Sequence, residues 1–370
     1  MRDSSLPQLR ILISAGGTGG HIIPGLAVAR ELVSRHHAEI LFVGTPRGLE
    51  SRLVPGAGFA LKLIEIGPLN HVSLATKIKT VLKLPKSLFA ARRILREFKP
   101  DAVLSVGGYS SGPVMAIALQ LKIPAMVVEP NAMPGLANRL VGKRVQAAAI
   151  NFAAAEKWFR NAEVTGIPVR PEFFRLQPPA AAAPHLLVFG GSQGARIFNV
   201  HMPEVVKPLL EAVPGLTVLH QSGAKNFEST QAAYEASGAD PSRWQVRPFL
   251  DDMPAFFAEA HLVMSRSGAS SVAELTAAGK PALLVPFAAA ADDHQRRNAE
   301  VMVRAGAAVM LLETDLDVPG KLVDTLSGLL NAPERLAQMA EAARAQAHPG
   351  AAEKIADRLA ALEEGKPAAH

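Results

Sequence analysis

The sequence feature that most limits the fold is an internal repeat. An apolar run followed by the glycine-rich turn Gly16–Gly20 has a counterpart 174 residues later, where a second apolar run precedes Gly190–Gly194. An apolar strand, a glycine-rich turn and a helix in that order form the first part of a Rossmann-like βαβ unit. Two such starts within one chain predict two Rossmann-like domains.

Short aliphatic and β-branched runs alternate with longer helical patterns along the chain. Strands that are apolar on both faces and separated by helices are typical of parallel sheets with right-handed crossovers. The predicted buried strands are Arg10–Ser14, Glu39–Val43, Leu61–Ile66, Ala102–Val106, Ala125–Glu129 and Gln146–Ile150 in the first half, and His185–Phe189, Leu216–Gln221, His261–Ser265, Ala282–Pro286 and Ala307–Leu311 in the second. The sequence therefore predicts the α/β class.

The repeat and the proline positions predict the domain boundaries. We place a first domain at residues 1–167, a proline-rich linker at 168–184 and a second domain at 185–346. Residues 347–370 contain a helical pattern, Ala352–Glu364, which is a candidate to return to the first domain. A chain of 370 residues is long enough for two domains that each bury a core.

Composition excludes whole classes of protein. Cysteine is absent, which excludes disulfides, thiolate nucleophiles and Cys-ligated zinc. An apolar content of 49% with 19% charged residues excludes a disordered chain. The first ten residues lack the apolar stretch of a signal peptide. The uncharged run Ala102–Leu121 has glycines, serines and a proline at its centre, so we predict a strand, a loop and a helix there rather than a membrane span.

The glycine-rich turns are candidate phosphate sites. A turn that leads into a helix N-terminus presents backbone N–H groups and the positive end of the helix dipole. Glycines that only permit tight turns are the alternative. The dinucleotide fingerprint is interrupted by Ile22, and the second strand ends without an acidic residue for a ribose hydroxyl. No P-loop motif occurs, so NAD and ATP chemistry are both disfavoured.

Two further loops have the same character. Ser265–Glu274 places serines at a helix start and Glu274 one turn inside, where the carboxylate can accept two ribose hydroxyls or interact with the helix dipole. Gly107–Pro113 follows a strand, and His21 lies beside the first glycine turn. An imidazole can remove a proton from a hydroxyl, although a capping or packing histidine is equally consistent with the sequence. The run Asp292–Gln295 is consistent with contacts to sugar hydroxyls or with a solvated helix start.

Together these motifs resemble the MurG family of UDP-N-acetylglucosamine transferases, which belongs to glycosyltransferase family 28. They occur in the family's order and at its spacing over about residues 8–345. The matching segments are Gly16–His21, Gly107–Pro113, Gly166–Arg170, Gly190–Ala195, Phe249–Met253 and Arg266–Glu274. The resemblance implies the GT-B fold, in which two Rossmann-like parallel-sheet domains face a central cleft.

The resemblance also implies a reaction. It is the inverting transfer of N-acetylglucosamine from UDP-GlcNAc to the 4-OH of N-acetylmuramic acid in the undecaprenyl-linked lipid I, which gives lipid II for peptidoglycan synthesis. No metal or other cofactor is implied, and the sequence has no D-x-D pair. The implied location is the cytoplasmic face of the bacterial inner membrane, as a peripheral protein, with other cell-wall synthesis proteins as further partners.

The resemblance assigns roles to the residues at matching motif positions. The implied catalytic residues are His21 as the base, with Glu129 and Asn131. The implied donor-binding residues are Thr18, Gly19, Gly20, Asn131, Arg170, Ser192, Leu250, Ala269, Ser270, Ser271, Val272, Ala273, Glu274, His294 and Gln295. Those implied for the acceptor diphosphate are Gly16, Gly17, Gly107, Gly108, Tyr109 and Ser110. The family's His-Glu-Gln-Asn segment is Val-Glu-Pro-Asn here, at residues 128–131.

A basic and apolar segment, Ser73–Pro100, indicates a surface for anionic phospholipid. Between Lys77 and Lys99 there are eight basic residues and one acid, whereas the net charge of the whole chain is +6. The candidate membrane residues are Ile78, Lys79, Leu82, Lys83, Lys86 and Phe89, and a lipid-linked acceptor favours that role. An amphipathic helix with its apolar face in the core is the alternative. Nucleic acid is disfavoured, because the chain has only 2 Trp and 2 Tyr.

Other functions are consistent with parts of the sequence. A GT-B transferase for another lipid acceptor, such as diacylglycerol, keeps the donor motifs but differs in the loop Gly107–Pro113. A UDP-GlcNAc 2-epimerase shares the fold and transfers nothing. A UDP-sugar sensor binds the donor without turnover.

Overall fold

The computed structural model describes residues 8–16, 19–46, 48–67, 74–179 and 183–362, and only the backbone of residues 19 and 74–81. The predicted site residues Gly17 and Thr18 and the side chains of Ile78 and Lys79 therefore lie outside the described residues. The chain divides into two compact units. The first takes its residues from the part up to Pro168 and from Gly350 onward, and the second spans Val169–Pro349.

The first unit is built on one parallel sheet. Its strands are β1 (Arg10–Ala15), β2 (Glu39–Gly44), β3 (Ala60–Leu63), β4 (Ala102–Gly107), β5 (Ala125–Glu129), β6 (Ala147–Ile150) and β7 (Ala162–Val164). Its first helices are α1 (Gly19–His36), α2 (Glu50–Gly56), α3 (Leu74–Phe98), α4 (Ser111–Gln120) and α5 (Leu136–Val141).

The described strands of this unit pair in the order β3-β2-β1-β4-β5-β6-β7. The chain moves outward from β1 in one direction and then from β4 in the other, so the strand order reverses between β1 and β4. At such a reversal the loops after the two central strands lie side by side, and this is where ligands bind in open α/β sheets. Leu12 of β1 and Val103 of β4 belong to the buried core beneath, together with Leu95 of α3.

The second unit repeats this architecture. Its helices and strands are α6 (Pro171–Phe174), β8 (His185–Phe189), α7 (Arg196–Ala212), β9 (Thr217–Gln221), α8 (Phe227–Ala236), β10 (Trp244–Arg247), α9 (Met253–Glu259), β11 (Leu262–Ser265), α10 (Ala269–Ala278), β12 (Ala282–Leu284), α11 (His294–Arg304), β13 (Ala308–Met310), α12 (Glu313–Leu316), α13 (Lys321–Leu330) and α14 (Pro333–Ala345). The parallel strand order β10-β9-β8-β11-β12-β13 reverses between β8 and β11. The last helix, α15 (Ala351–Ala361), belongs to the first unit.

The predicted α/β class and the two parallel sheets are confirmed, and the differences lie at the sheet edges. Leu61–Ile66 was expected to be a buried strand, but β3 ends at Leu63 and its residues are mostly exposed. Two further edge strands, β7 and β10, were not predicted. Both are short and pair with one neighbour, and they contain exposed polar residues, so they lack the two-sided apolar pattern on which the predictions depend.

The proline-rich segment predicted as a linker is part of the second unit from Val169 onward. Its helix α6 buries Phe173, whose ring lies edge-on to the ring of Phe257 at 5.2 Å. At the other end of the chain, α15 packs on α1 through Asp357, which accepts hydrogen bonds from Arg35 at 2.6 Å and from His36 at 2.8 Å. The C-terminal helix thus returns to the first unit.

The basic segment forms helix α3, and Pro85 lies inside this helix rather than ending it. The last turns bury Ile94, Leu95 and Phe98 in the core, as the amphipathic alternative requires. The preceding turns differ, because the side chains of Leu82 and Phe89 are each 72% exposed. Within the described residues, no helix is both long enough and apolar enough to cross a bilayer.

Candidate functional site

At the central reversal of the first sheet, two glycine loops are in direct contact. The N–H of Gly16 donates to the carbonyl of Gly107 at 3.3 Å. Gly108 has φ +89°, and a Cβ built there would lie 2.1 Å from the carbonyl oxygen of Gly16. Only glycine permits both this conformation and this approach. Gly16, directly after β1, is therefore in backbone contact with Gly107 and Gly108 at the end of β4.

Buried serines support these loops from beneath. The hydroxyl of Ser14 donates to that of Ser110 at 3.2 Å, and Ser110 in turn donates to the carbonyl of Val43 at 3.3 Å. Ser111 donates to the carbonyl of Gly107 at 2.9 Å. Ser110 is fully buried and its hydroxyl supports the loop from beneath, and its contact with the acceptor diphosphate stays a prediction. Tyr109, in contrast, is 50% exposed.

His21 lies in the first turn of α1 with its ring against the second loop. A Cβ built on Gly107 would be 2.9 Å from the imidazole Cδ2 and 3.1 Å from Nε2. The absence of a side chain at Gly107 is therefore what leaves room for the ring. The structure thus places the predicted base on the predicted acceptor loop, with Gly19 and Gly20 beginning the same helix.

A buried carboxylate, Glu50, lies beside Gly16 in the first glycine loop and was not predicted. Its Oε1 accepts hydrogen bonds from the N–H of Thr45 at 2.7 Å and from the hydroxyl of Thr45 at 2.8 Å. A Cβ on Gly16 would lie 3.1 Å from this oxygen. In the sequence, Glu50 has the pattern of an ordinary acidic residue in the first turn of a helix, so no signal distinguished it.

Glu129 and Asn131 are linked by hydrogen bonds at the end of β5. Oε1 of Glu129 accepts from the N–H of Asn131 at 2.9 Å, and Oε2 accepts from the amide of Asn138 at 3.0 Å. The hydroxyl of Ser105 donates to the other end of that amide at 2.9 Å. Burial raises the pKa of Glu129 to about 7, against the lowering effect of these hydrogen bonds. Glu129 therefore orients the loop that contains Asn131, and the catalytic roles of both residues stay predictions.

In the second unit the glycine turn after β8 interlocks with the end of β9. A Cβ on Gly194 would lie 2.0 Å from the carbonyl oxygen of Ser222, and one on Gly223 would lie 2.0 Å from that of Gln193. Gly223 has φ +81° and was not singled out by the sequence, because no glycine-rich run surrounds it. Ser192, at the tip of the turn, is exposed.

Helix α10 begins beside this turn at the sheet reversal. Its first-turn residues Ala269, Ser270 and Ser271 have N–H groups that precede the first i to i−4 hydrogen bond. Val272 was also predicted to bind the donor, but its N–H donates to the carbonyl of Gly268 at 2.9 Å and its side chain is buried. Ala273 is buried one position further along the helix. The N–H of Val272 is thus bonded within the helix, and the donor contacts of Val272 and Ala273 stay predictions.

Glu274 lies one turn into α10 and is electrostatically coupled to Arg170, the residue before α6. Burial raises the pKa of Glu274 to about 7, and the positive charge of Arg170 partly opposes this rise. The guanidinium of Arg170 stacks on the ring of Phe173, with 5.0 Å from Cζ to the centroid. Glu274 and Arg170 were predicted to contact the nucleotide, and the structure brings them together within the second unit.

The segment before α11 has unusual backbone geometry. Asp292 and Asp293 are both left-handed, with φ +52° and +55°. His294 follows, and its Nδ1 is 2.6 Å from the carbonyl oxygen of Ala291. Gln295 accepts a hydrogen bond at Oε1 from the N–H of Phe287 at 3.0 Å, which fixes the direction of its amide. Two consecutive left-handed aspartates are held only where their surroundings fix them.

Leu250 lies in the turn between β10 and α9, where its main chain was predicted to contact the base of the nucleotide. Its side chain is buried, whereas that of the preceding Phe249 is 51% exposed. Among the residues that the structure describes, no group of three or more histidine, aspartate or glutamate side chains could hold a metal ion.

Comparison with known proteins gives consistent matches over nearly the whole chain. Residues 11–150 match the model of the glycosyltransferase family 28 N-terminal domain, and residues 185–355 match that of the family 28 C-terminal domain. The crystal structure of MurG from Acinetobacter baumannii superposes with a TM-score of 0.80 at 30% identity, covering 95% of this chain and 99% of that one.

Two curated relatives have the same name, UDP-N-acetylglucosamine–N-acetylmuramyl-(pentapeptide) pyrophosphoryl-undecaprenol N-acetylglucosamine transferase. The protein from Anaeromyxobacter dehalogenans strain 2CP-C is 44% identical over 355 residues, which are 94% of this chain and 92% of the relative. The protein from Solibacter usitatus is 44% identical over 353 residues, 94% of each chain. With both domain models matched and these identities over nearly full length, the chain belongs to the MurG transferases of glycosyltransferase family 28.

Proposed function

We propose that this enzyme transfers N-acetylglucosamine from UDP-GlcNAc to the 4-OH of N-acetylmuramic acid in lipid I, with inversion, and so forms lipid II. Family membership supports the reaction class, and the names of the relatives describe this donor and this acceptor. The observation that most supports a catalytic first unit is the imidazole of His21 packed on Gly107, within the loop proposed for the acceptor.

His21 is the proposed general base. The 4-OH oxygen attacks the anomeric carbon of the donor sugar while His21 accepts its proton, and the bond from that carbon to the UDP oxygen breaks. The loops Gly16–Gly20 and Gly107–Gly108 hold the acceptor diphosphate through backbone N–H groups. Asn131 contributes to positioning the sugar, and the buried carboxylate of Glu129 fixes its loop.

The second unit binds the donor. The first-turn N–H groups of α10, at Ala269–Ser271, stabilise the negative charge that grows on UDP as it leaves. Ser192 contributes a hydroxyl to the diphosphate, and the carboxylate of Glu274 accepts the ribose hydroxyls. The main chain at Leu250 contacts the uracil, and Gln295 with His294 contacts the sugar. Preorganised N–H donors can perform this stabilisation without a metal ion, and we expect none to be required.

The exposed part of α3 is the proposed membrane surface. Leu82, Lys86 and Phe89 follow one another at i, i+4 and i+7, so they lie on one face of the helix. An exposed apolar and basic face fits an interfacial helix on anionic lipid. This face would bring a peripheral enzyme to an acceptor anchored in the cytoplasmic leaflet of the inner membrane.

The test is to incubate purified protein with labelled UDP-GlcNAc, a lipid I analogue and EDTA, and to follow label in the lipid fraction. We expect one β-1,4-linked product that forms with chelator present. Bound donor without labelled lipid would contradict the proposed acceptor, and formation of labelled UDP-N-acetylmannosamine would indicate epimerisation instead.

A further inference from the structure

Arg266 is a buried cation next to the proposed donor site and has no role in the mechanism above. Its Nη1 donates to the carbonyl oxygens of Val285 and Pro286, both at 3.1 Å. Its Nη2 forms an ion pair with Glu313 at 2.5 Å. Arg266 itself is only 9% exposed. A guanidinium engaged on one side by two carbonyls and on the other by a carboxylate positions backbone rather than binding a ligand.

Two aromatic rings enclose the same guanidinium. Its Cζ lies 5.3 Å from the ring centroid of Phe198 on α7 and 5.2 Å from that of Phe287. Phe198 is fully buried, so it provides a fixed wall, whereas Phe287 belongs to the segment that precedes the two left-handed aspartates. Arg266 therefore contacts the start of that segment twice, through the backbone carbonyls of Val285 and Pro286 and through the side chain of Phe287.

Neighbouring hydrogen bonds join the start of α10 to the start of α11. The hydroxyl of Ser267 donates to the carbonyl of Gln295 at 2.8 Å, and the amide of Asn298 donates to the carbonyl of Ser267 at 3.1 Å. The N–H of Phe287 fixes Oε1 of Gln295. A single connected network thus links the turn that precedes the diphosphate donors to the residue proposed to contact the sugar.

We propose that Arg266 and Glu313 are positioning residues that set the sugar-contacting segment, Phe287–Gln295, relative to the diphosphate-binding start of α10. This inference rests on the proposed function. It predicts that loss of the Arg266–Glu313 pair weakens the binding of UDP-GlcNAc, with a much smaller effect on the binding of UDP alone. The segment contains strained backbone at Asp292 and Asp293, so we expect it to change conformation when the contacts of Arg266, here called the Arg266 clamp, are weakened.

The test compares dissociation constants of UDP-GlcNAc and of UDP for wild type and R266K, measured by calorimetry. Lysine keeps the positive charge but cannot make the forked contacts of a guanidinium. We expect the dissociation constant of UDP-GlcNAc to rise about tenfold, because lysine loses part of the charged hydrogen bonding of the guanidinium. The dissociation constant of UDP should change by less than about twofold. The KM for the donor should rise in parallel, with the KM for the lipid acceptor unchanged.

R243K is the matched control. Arg243 also binds backbone carbonyls, those of Leu210, Val213 and Leu216, but at the end of α7 and the start of β9, away from the sheet edge with the glycine turns. We expect R243K to lower the midpoint of thermal unfolding and to leave the ratio of the two dissociation constants unchanged. E313Q, a second variant, removes the ion pair and should raise the ratio of the dissociation constant of UDP-GlcNAc to that of UDP, as R266K does.

The inference is overturned if R266K and E313Q weaken UDP and UDP-GlcNAc equally, or if neither changes the ratio. Wild-type protein that binds UDP but not UDP-GlcNAc would overturn both this inference and the proposed function. Wild-type protein that binds UDP-GlcNAc yet labels no lipid would contradict only the proposed function, because the ratio is measured without acceptor.

Discussion

The two glycine-rich edges of this enzyme share a backbone design and differ in the side chains around it. In the first unit Gly108 approaches the carbonyl of Gly16, and in the second Gly223 approaches that of Gln193, each so closely that a Cβ would lie about 2 Å from the oxygen. The first pair lies where the strand order reverses, between β1 and β4, whereas the second pair follows the neighbouring strands β8 and β9. In the proposed mechanism each edge presents backbone N–H groups to a phosphate.

The side chains give the two edges different chemistry. Beneath the first edge are the hydroxyls of Ser14 and Ser111, and beside it lies the imidazole of His21. Near the second edge are the coupled pair Glu274 and Arg170 and the clamp formed by Arg266. This difference agrees with the proposed mechanism, in which the first edge performs proton transfer and the second recognises the donor.

The largest expected effect is that of His21→Ala. Removing a general base lowers kcat by about 10²–10⁴-fold, and the dissociation constant of UDP-GlcNAc should stay within about twofold because the donor site is in the second unit. Single-turnover transfer and donor calorimetry measure the two quantities. His37→Asn is the control, since His37 is exposed with φ +53°, a conformation that asparagine tolerates. Near-normal turnover of His21→Ala would remove this residue as the base.

Glu274→Ala should weaken UDP-GlcNAc binding by about 10–100-fold, through loss of charged hydrogen bonds to the ribose. The wild-type affinity should also depend on pH. Hydroxyl donors bind the ionised carboxylate, whose pKa is about 7 without donor, so affinity should fall as the pH is lowered from 8 through about 7 to 6. Glu274→Gln should lose this dependence. A titration by calorimetry with the same pH profile in both proteins would place Glu274 outside the site.

A pair of glycine substitutions sharpens the comparison. Gly108→Ala should reduce transfer at least about tenfold with unchanged donor affinity, and Gly223→Ala should reduce donor affinity by a similar factor, because each Cβ forces backbone apart. Gly56→Ala and Gly328→Ala are controls, one in each unit, since no atom lies within 4 Å of a Cβ at either position. Equal losses of both quantities in both variants would contradict separate roles for the edges.

The smallest effect concerns the surface of α3. Replacing Lys86 alone by glutamine should reduce partition onto vesicles with anionic lipid by about fivefold, since one charge contributes about 1 kcal/mol near such a surface, and the same change at Lys83 is compared with it. Neutral vesicles serve as the reference. Lys83 lies 3.6 Å from Glu65, so its contribution should be the smaller of the two. An unchanged partition would favour a purely structural helix.

Most inner strands could be predicted to within about a residue, and the edge strands less well. β5 and β8 have the predicted bounds, because their residues are mostly apolar and Pro130 and Gly190 follow them directly. β7 and β10 have one neighbour each and mixed polarity, so periodicity gives no signal. Individual site residues such as His21 could be found from motifs, but its contact with Gly107 depends on β1 pairing with β4.

Other site features depend on tertiary structure alone. The importance of Gly223 comes from the carbonyl of Gln193, which is 30 positions away in sequence. Glu50 and Arg266 are ordinary charged residues in the sequence, and their burial is visible only once the loops around them are placed. The donor contact of Val272 was predicted from its place in the motif, and only the structure shows that its N–H is bonded within the helix.

The most direct test of separate roles for the two edges is a double-mutant cycle of His21→Ala and Glu274→Gln. Single-turnover transfer to a lipid I analogue is measured across donor concentrations for wild type, both single variants and the double variant. We predict that the rate loss of one and the affinity loss of the other multiply, with a coupling below about twofold, as for independent sites. A coupling of about tenfold or more would show that base and nucleotide site act as one unit, and would contradict the assignment of proton transfer to the first edge and donor recognition to the second.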